Sequence, residues 1–292
     1  MSINTYQIFV TVTEQGSFLK ASHLLNITAS AISHSMAGLE KEFGYPLLVR
    51  HKTGVTLTSY GESLMPYVRQ VLNTDTVLHH VVTSLNGLET GTVRLGCFNS
   101  ICTTHLPGLL HGFNELFPKI KIHIYQGSYD DVISWLKNGI VEIGFLSTAS
   151  AENEVPISPL YKDELLCVVP KDFKTENPTF ISHDEIKCQE FIAQQESTDS
   201  DIQNYLQRYR LQVKINCHAS DDLSAVSLVS NGFGICIMPE LVMKSMHYEV
   251  DSYALMPKGF RTIGISSIDK NDLSPAAKKL YDFIINEYKE RM

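Results

Sequence analysis

Several things are missing from this 292-residue chain, and each absence excludes a class of function. Its six cysteines, at 97, 102, 167, 188, 217 and 236, include no Cys-x-x-Cys pair. That spacing argues against a zinc ribbon or a thioredoxin-like centre, and most of the cysteines read instead as small buried hydrophobes. No stretch reaches the roughly 18 apolar residues that a spanning helix needs. The opening "MSINTYQIFVTVTEQG" lacks a basic segment ahead of an apolar one, so the expectation is a chain with no secretion signal and no membrane partner, resident in the cytoplasm. Gly-x-Ser-x-Gly, Gly-x-x-x-x-Gly-Lys-Ser/Thr and His-Glu-x-x-His are all absent. Without a nucleophile elbow, a phosphate loop or a zinc helix, no catalytic constellation can be assembled, and the expectation is a non-enzyme with no cofactor and no metal.

Charge is also scarce, at 19% of residues, and unevenly spread. The formal net charge is -8, yet the first 60 residues hold Lys20, Lys41, Arg50 and Lys52 against Glu14, Glu40 and Glu42. A neutral to slightly basic head on an acidic chain is permissive for a DNA-facing module.

That head reads as three short helices broken at "QGS" (15–17) and "LNIT" (25–28), with Ser17 and Thr28 placed as N-caps. In "SAISHSMAGLEKEFG" (30–44) the apolar residues Ile32, Met36, Leu39 and Phe43 mark one buried helix face. The other face carries Ala29, Ser30, Ser33, His34 and Ala37, which are small or hydrogen-bonding where a solvated helix would carry Lys, Glu and Arg. "LVRHKTGVTLT" (48–58) then reads as a short hairpin with Arg50 and Lys52 at its tip, able to reach phosphate or the minor groove. Helix, turn, helix and basic hairpin together predict a winged helix-turn-helix.

A long helix follows, with Ser59 and Glu62 in capping-box spacing. Leu64, Val68, Val71, Leu78, Val82 and Leu85 fall on a heptad seam interrupted by Asp75, which implies a partner helix from a second copy of the chain. Beyond residue 91, strand-like segments such as "TVRLGCF", "IKIHIY", "VEIGFL", "ELLCVVP" and "RTIGISS" alternate with helical runs. The pattern predicts α/β sandwiches with largely parallel sheets, large enough for two lobes. In "CFNSICTTHLP" (97–107), Asn99, Ser100, Thr103 and Thr104 lie between a strand and a helix, where hydroxyls and free N–H groups could hold a small polar or anionic molecule.

"FVTVTEQGSFLKASHLLNITASAISHSMAGLEKEFGYPLLVRHKTGVTLTSYGESL" closely resembles the N-terminal domain of LysR-type transcriptional regulators, through Phe9, Gly16-Ser17-Phe18, Ala21, Leu24, Ala31, Ser33, Leu39-Glu40, Gly44, Leu47, Arg50, Leu57-Thr58 and Gly61-Glu62. "GTVRLGCF", "FNELFP", "PLYKDELLCVVP" and "SNGFGICIMP" extend the likeness along the chain. The resemblance implies a multidomain α+β protein: a winged helix-turn-helix over 1–58, a dimerising linker helix over 59–90, and an effector-binding domain over 91–292 built like a type 2 periplasmic binding protein. One lobe would take about 91–161 and 265–292, the other about 162–264. The implied partners are double-stranded DNA, a small polar or anionic metabolite, and further copies of the chain as homodimer or homotetramer. DNA contact falls to Ser17, Thr28, Ala29, Ser30, Ala31, Ser33, His34, Arg50 and Lys52. Effector contact falls to Asn99, Ser100, Thr103, Ser128, Ser147 and Thr148, with Glu196, Ser197 and Thr198 from the second lobe.

One departure stands out. Where the family often reads Ser-Gln-Pro-Ala-Val-Ser-Arg-Gln, this chain reads Thr28-Ala29-Ser30-Ala31-Ile32-Ser33-His34-Ser35. Bidentate base contacts from Gln and Arg are thereby lost, so reading should lean on methyl contacts, single hydrogen bonds and DNA shape.

Overall fold

A computed structural model of the chain describes residues 2–85, 90–194, 200–246 and 248–290, apart from the side chains of 80 and 83–85. The chain forms two compact units, the first over residues 1–88 together with 137–140, the second over 89–136 and 141–292.

In the first unit, α1 (Ile3–Gln15), α2 (Phe18–Leu25) and α3 (Ala29–Phe43) are followed by the hairpin β1 (Leu48–His51) and β2 (Gly54–Leu57), then by α4 (Ser59–Leu85). The turns sit where the sequence places them. Ser17 Oγ accepts the N–H of Lys20 at 3.4 Å and Thr28 Oγ1 that of Ala31 at 3.1 Å, so each hydroxyl satisfies a helix N–H that has no carbonyl partner. Gly16 and Gly44 end α1 and α3 in the left-handed conformation. Ile32, Met36 and Leu39 are buried against Phe9, Val12 and Ala21, while Phe43 is half-buried beside them.

The hairpin docks onto the α1–α2 turn, because the N–H of Val55 bonds the carbonyl of Gly16 at 2.8 Å. Gly54 makes this possible, since a Cβ there would stand 2.6 Å from the same oxygen. Glu40, at the end of α3, accepts the N–H groups of Leu47 and Leu48 at 2.8 and 3.1 Å and fixes the start of the hairpin.

Two expectations for α4 change. Its cap is Thr58, whose Oγ1 accepts the N–H of Gly61 at 3.0 Å, so the helix begins at Ser59 instead of being capped by it. The heptad seam is also split. Val68 is buried in the core of its own unit and so is not available to a second chain, while Leu64 is half-buried against that core. Val71, Leu78 and Val82 remain exposed. The side chain of Leu85 lies outside the described residues.

The second unit contains β3 (Gly91–Cys97), α5 (Asn99–Thr104), α6 (Leu106–Leu116), β4 (Ile120–Gln126), α7 (Tyr129–Lys137) and β5 (Ile143–Ser147), which build a first lobe. The chain crosses on β6 (Ile157–Pro170) to β7 (Phe180–Ser182), α8 (His183–Lys187), β8 (Glu190–Gln194), α9 (Ser200–Arg208), β9 (Lys214–Ala219), α10 (Asp222–Ser230), β10 (Cys236–Pro239) and α11 (Glu240–Lys244). It returns on β11 (Val250–Ser266) and ends in α12 (Pro275–Glu290), which packs on the first lobe.

The strands β4, β3 and β5 are mutually parallel, as are β8 and β9. The expectation of largely parallel sheets nevertheless fails at the centre. There β6 runs antiparallel to both β10 and β11, and β11 antiparallel to β5. The reason is topological: a chain that leaves a lobe on one strand and returns on its neighbour must reverse direction. Both crossing strands outrun the segments legible in sequence, because each serves the two lobes in turn. Irregularities between Ala254 and Gly259 and between Ile263 and Gly264 divide the pairing of β11 with β6 into three stretches. Buried apolar side chains fill both lobes, with Leu95, Phe113, Phe145 and Leu280 in the first and Leu165, Phe191, Ile235 and Leu255 in the second. Cys97, Cys167 and Cys236 are part of this interior. Burial, with Cys102 beside it, pushes the Cys97 thiol up to about 12, and burial also raises the other two, which makes all three poor nucleophiles.

Candidate functional sites

In the first unit two of the acidic side chains are already engaged. Glu14 is paired with Arg69 at 2.9 Å, and Glu40 is committed to the hairpin backbone. On α3, Ser30, Ala31 and His34 are exposed, as is Thr28 at its cap, while Ala29 and Ser33 are half-buried. Thr28 and Ser30 share a hydroxyl contact of 3.0 Å. Lys52 stands in the hairpin turn, exposed, with Thr53.

Arg50 is placed differently from the expectation. It lies within β1, opposite Val55, and not at the tip. Its guanidinium reaches back to α3, donating to Ser33 Oγ at 3.2 Å and stacking 4.5 Å over the ring of Phe18 at the start of α2. The geometry makes Arg50 an extension of the helix face, held by two contacts, with donors left over for a phosphate or a base edge.

The second site lies between the lobes of the second unit. Ser100 and Ser147, both expected to face an effector, are indeed brought together there, but each already has a partner from its own chain. Arg261 on β11 donates to Ser100 Oγ at 2.8 Å and to Tyr129 Oη at 3.1 Å. It also pairs with Asp163 of β6 at 2.7 Å and lies 5.2 Å over the ring of Phe98. Asp201, in the first turn of α9, accepts from Ser147 Oγ at 2.6 Å and from Tyr129 Oη at 3.2 Å. Asp163 completes its shell by accepting the N–H of Leu241 at 3.0 Å.

All six groups are buried, which sets the electrostatics. Burial pushes the Asp201 carboxyl above its ordinary value, against the pull of Ser147, Arg261 and Tyr129. Burial likewise raises the Tyr129 phenol, which keeps its proton for donation. For Arg261 burial works toward discharge, but Tyr129, Asp163 and Asp201 together hold it above its usual value. The result is a buried arginine, matched by Asp163 and flanked by hydroxyl groups, bridging the two lobes.

Other expected positions serve the backbone. The hydroxyls of Thr103 and Thr104 turn back onto carbonyls within their own helix, so the proposed anion seat at Thr103 is not formed. Asn99 is exposed and accepts from Gln126 at 3.1 Å. Ser128 caps α7 through Asp131, with its N–H and Oγ at 2.9 and 2.7 Å from the carboxylate. The N–H of Thr148 bonds the carbonyl of Thr262 at 2.7 Å. Glu196, Ser197 and Thr198 lie outside the described residues.

Arg261, Asp163, Tyr129 and Asp201 escaped the sequence reading. A usable signal was present for Arg261: it opens "RTIGISS", and a guanidinium in an apolar strand has to find buried partners. Asp201 and Tyr129 carry no such local mark. Among the described residues, no group of three or more His, Cys, Asp or Glu side chains is arranged to hold a metal. No helix there is long and apolar enough to cross a membrane.

Comparison with known proteins covers both units. Residues 3–62 match the family model described as bacterial regulatory helix-turn-helix protein, lysR family, and residues 86–289 match the LysR substrate binding domain. An uncharacterised HTH-type transcriptional regulator of Bacillus subtilis, YvbU, is 26% identical across 95% of this chain and 96% of its own. Among solved structures, full-length OxyR from Pseudomonas aeruginosa superposes with a TM-score of 0.79 at 18% identity, covering 97% of this chain and 94% of its own. The effector binding domain of QuiR in complex with shikimate aligns with 70% of this chain and 99% of its own, with a TM-score of 0.64 and 26% identity.

Proposed function

Because this chain belongs to the LysR family of DNA-binding bacterial transcriptional regulators, we propose that a small polar or anionic effector binds between the lobes of its second unit and changes how the first unit engages an operator. The observation carrying this reading is the buried centre in which Ser100, Ser147 and Tyr129 converge with Arg261. A ligand that fits one lobe arrangement better than another shifts the equilibrium by its difference in affinity, and no chemistry is needed. The similar effector binding domain of QuiR is in complex with shikimate, a small acid, which supports an effector of this class.

In this proposal α3 lies in the major groove. Ala29 and Ala31 meet thymine methyls, and Ser30, Ser33 and His34 make single hydrogen bonds, with Ser17 and Thr28 near the backbone. Arg50 and Lys52 supply phosphate attraction. Two chains pair through Val71, Leu78 and Val82 on α4 and assemble further into a tetramer, within the cytoplasm and without catalysis. A charge buried at that seam costs several kcal/mol, so Leu78→Lys should sediment as smaller species.

The direct test starts with operators selected in vitro by the full-length protein. A library of small acids is then screened by thermal shift, and each hit is added to an anisotropy titration of the selected DNA. A hit that stabilises the protein and moves operator affinity supports the reading. Hits that stabilise it while leaving DNA affinity and footprint unchanged overturn it.

A further inference from the structure

We infer that Asp201 is a built-in occupant of the effector seat: its carboxylate fills the position that the carboxylate of an incoming ligand takes over, and the exchange unlatches the two lobes. This deepens the proposed effector function and rests on it.

The Asp201 carboxylate is enclosed by groups of the other lobe. Its two oxygens accept from two hydroxyls of the first lobe, Ser147 at 2.6 Å and Tyr129 at 3.2 Å. Tyr129 is in turn held by the guanidinium of Arg261 at 3.1 Å. Two O–H donors backed by a buried cation form a receptor for a carboxylate, and a carboxylate is what they hold. The occupant comes from α9 in the second lobe, while both hydroxyls belong to the first, so these hydrogen bonds tie the lobes together.

The occupant is also held at a cost. Burial raises the Asp201 carboxyl, so its ionised form gains hydration when it leaves. Asp163 neutralises Arg261 at 2.7 Å whether or not Asp201 stays, so departure strands no cation. An approach exists: a cavity of about 250 Å3 reaches Asp201, with Ala149, Arg208, Lys258 and Phe260 among its lining residues. Arg208 on that path favours an anion, while Lys258 is already paired with Glu164 at 2.9 Å. Next to Asp201, Ser200 Oγ is buried without a hydrogen-bond partner among the described residues, a donor not yet used.

Direct contacts of this length leave no room for a second carboxylate, so ligand and Asp201 exclude each other. Binding therefore releases α9 from the first lobe, and the ligand acts by replacing an internal contact.

The experiment is chemical rescue on the full-length protein. Asp201→Ala empties the seat, and acetate then serves as the probe. Acetate, compared with chloride at equal ionic strength, should raise the unfolding midpoint of D201A saturably by a few degrees while leaving the unsubstituted protein unmoved over the same range. Acetamide, of the same shape but uncharged, should raise neither midpoint. Indifference of D201A to acetate overturns the inference, as does an equal response from the unsubstituted chain. Should D201A fail to fold, Ser147→Ala provides the second route: amide exchange across 200–208 should speed up, and unchanged protection there counts against a latch. These readouts involve no DNA. A rescued D201A alongside hits that never alter operator binding would leave the seat intact and remove only the regulatory reading.

Discussion

Arg50 and Arg261 are built into the same small motif and put to opposite uses. Each donates to a serine hydroxyl and lies over a phenylalanine ring, Ser33 and Phe18 for the first, Ser100 and Phe98 for the second. Arg50 does this in solvent, where the contacts orient the guanidinium without consuming it. Arg261 is 5% exposed and has added a carboxylate and a phenol to its partners. The comparison teaches that burial, and not residue type or local motif, decides whether an arginine is a free hand or a structural joint. An exposed pair contributes under about 1 kcal/mol, whereas breaking a buried one costs roughly 3–5 kcal/mol by leaving a charge unpaired.

The strongest way to break this contrast is Arg261→Ala. It leaves Asp163 buried without its cation, and chemical denaturation should show the second unit destabilised by about 3–5 kcal/mol. A loss below 1 kcal/mol would mean that the centre is wetter than its geometry. The next effect comes with pH. Asp201 binds its proton more tightly folded than unfolded, so the stability from this group is complete below the unfolded value of 3.8 and is lost as pH rises through the raised folded value. Thermal midpoints of the unsubstituted protein should carry that falling contribution, and Asp201→Asn should remove it. An identical pH profile for both proteins would dissociate the raised carboxyl from stability.

Two smaller effects belong to the exposed side of the comparison. Thr28→Ala removes the cap of α3, and the first unit should lose about 1 kcal/mol in a denaturant titration. Arg50→Ala should change stability by less than about 0.5 kcal/mol. Its signature is on DNA, where log affinity against log salt should flatten by roughly one unit for every sequence alike. If Arg50→Ala instead reorders operator preference, the tether to Ser33 makes it a base reader, which would sharpen the comparison in a different direction.

What the sequence revealed follows from the range of the interactions involved. Helix periodicity, Ser17 and Thr28 as caps, and the turn glycines are local, and the winged helix-turn-helix could be read from them. The strand–helix alternation beyond residue 91 already allowed two lobes, and the resemblance to the LysR family added their bounds and their use as an effector-binding domain. The side chain of Arg50 could not be placed, because its position depends on Ser33, seventeen residues earlier. The interlobe centre was half legible for the same reason. Ser100 and Ser147 were marked by standing after strands, but Arg261 meets Ser100 across 161 positions and Asp201 meets Ser147 across 54. Hydroxyls such as Thr103 misled because an exposed-looking donor in a helix finds its own backbone carbonyl before any ligand.

The core of the first unit carries a consequence for anyone recombining regulators. A head domain cut where the long helix starts would be severed through its own interior, since Met65 and Val68 of α4 are buried against the three preceding helices, with Leu64 and Leu72 packed beside them. The first turns of the linker are thus part of what folds the head. A transplant of this module onto another sensor should keep its native residues past Leu72 and place the splice on the exposed stretch around Leu78. There Leu78 and Val82 are exposed, so substitutions leave the packed interior of the head untouched.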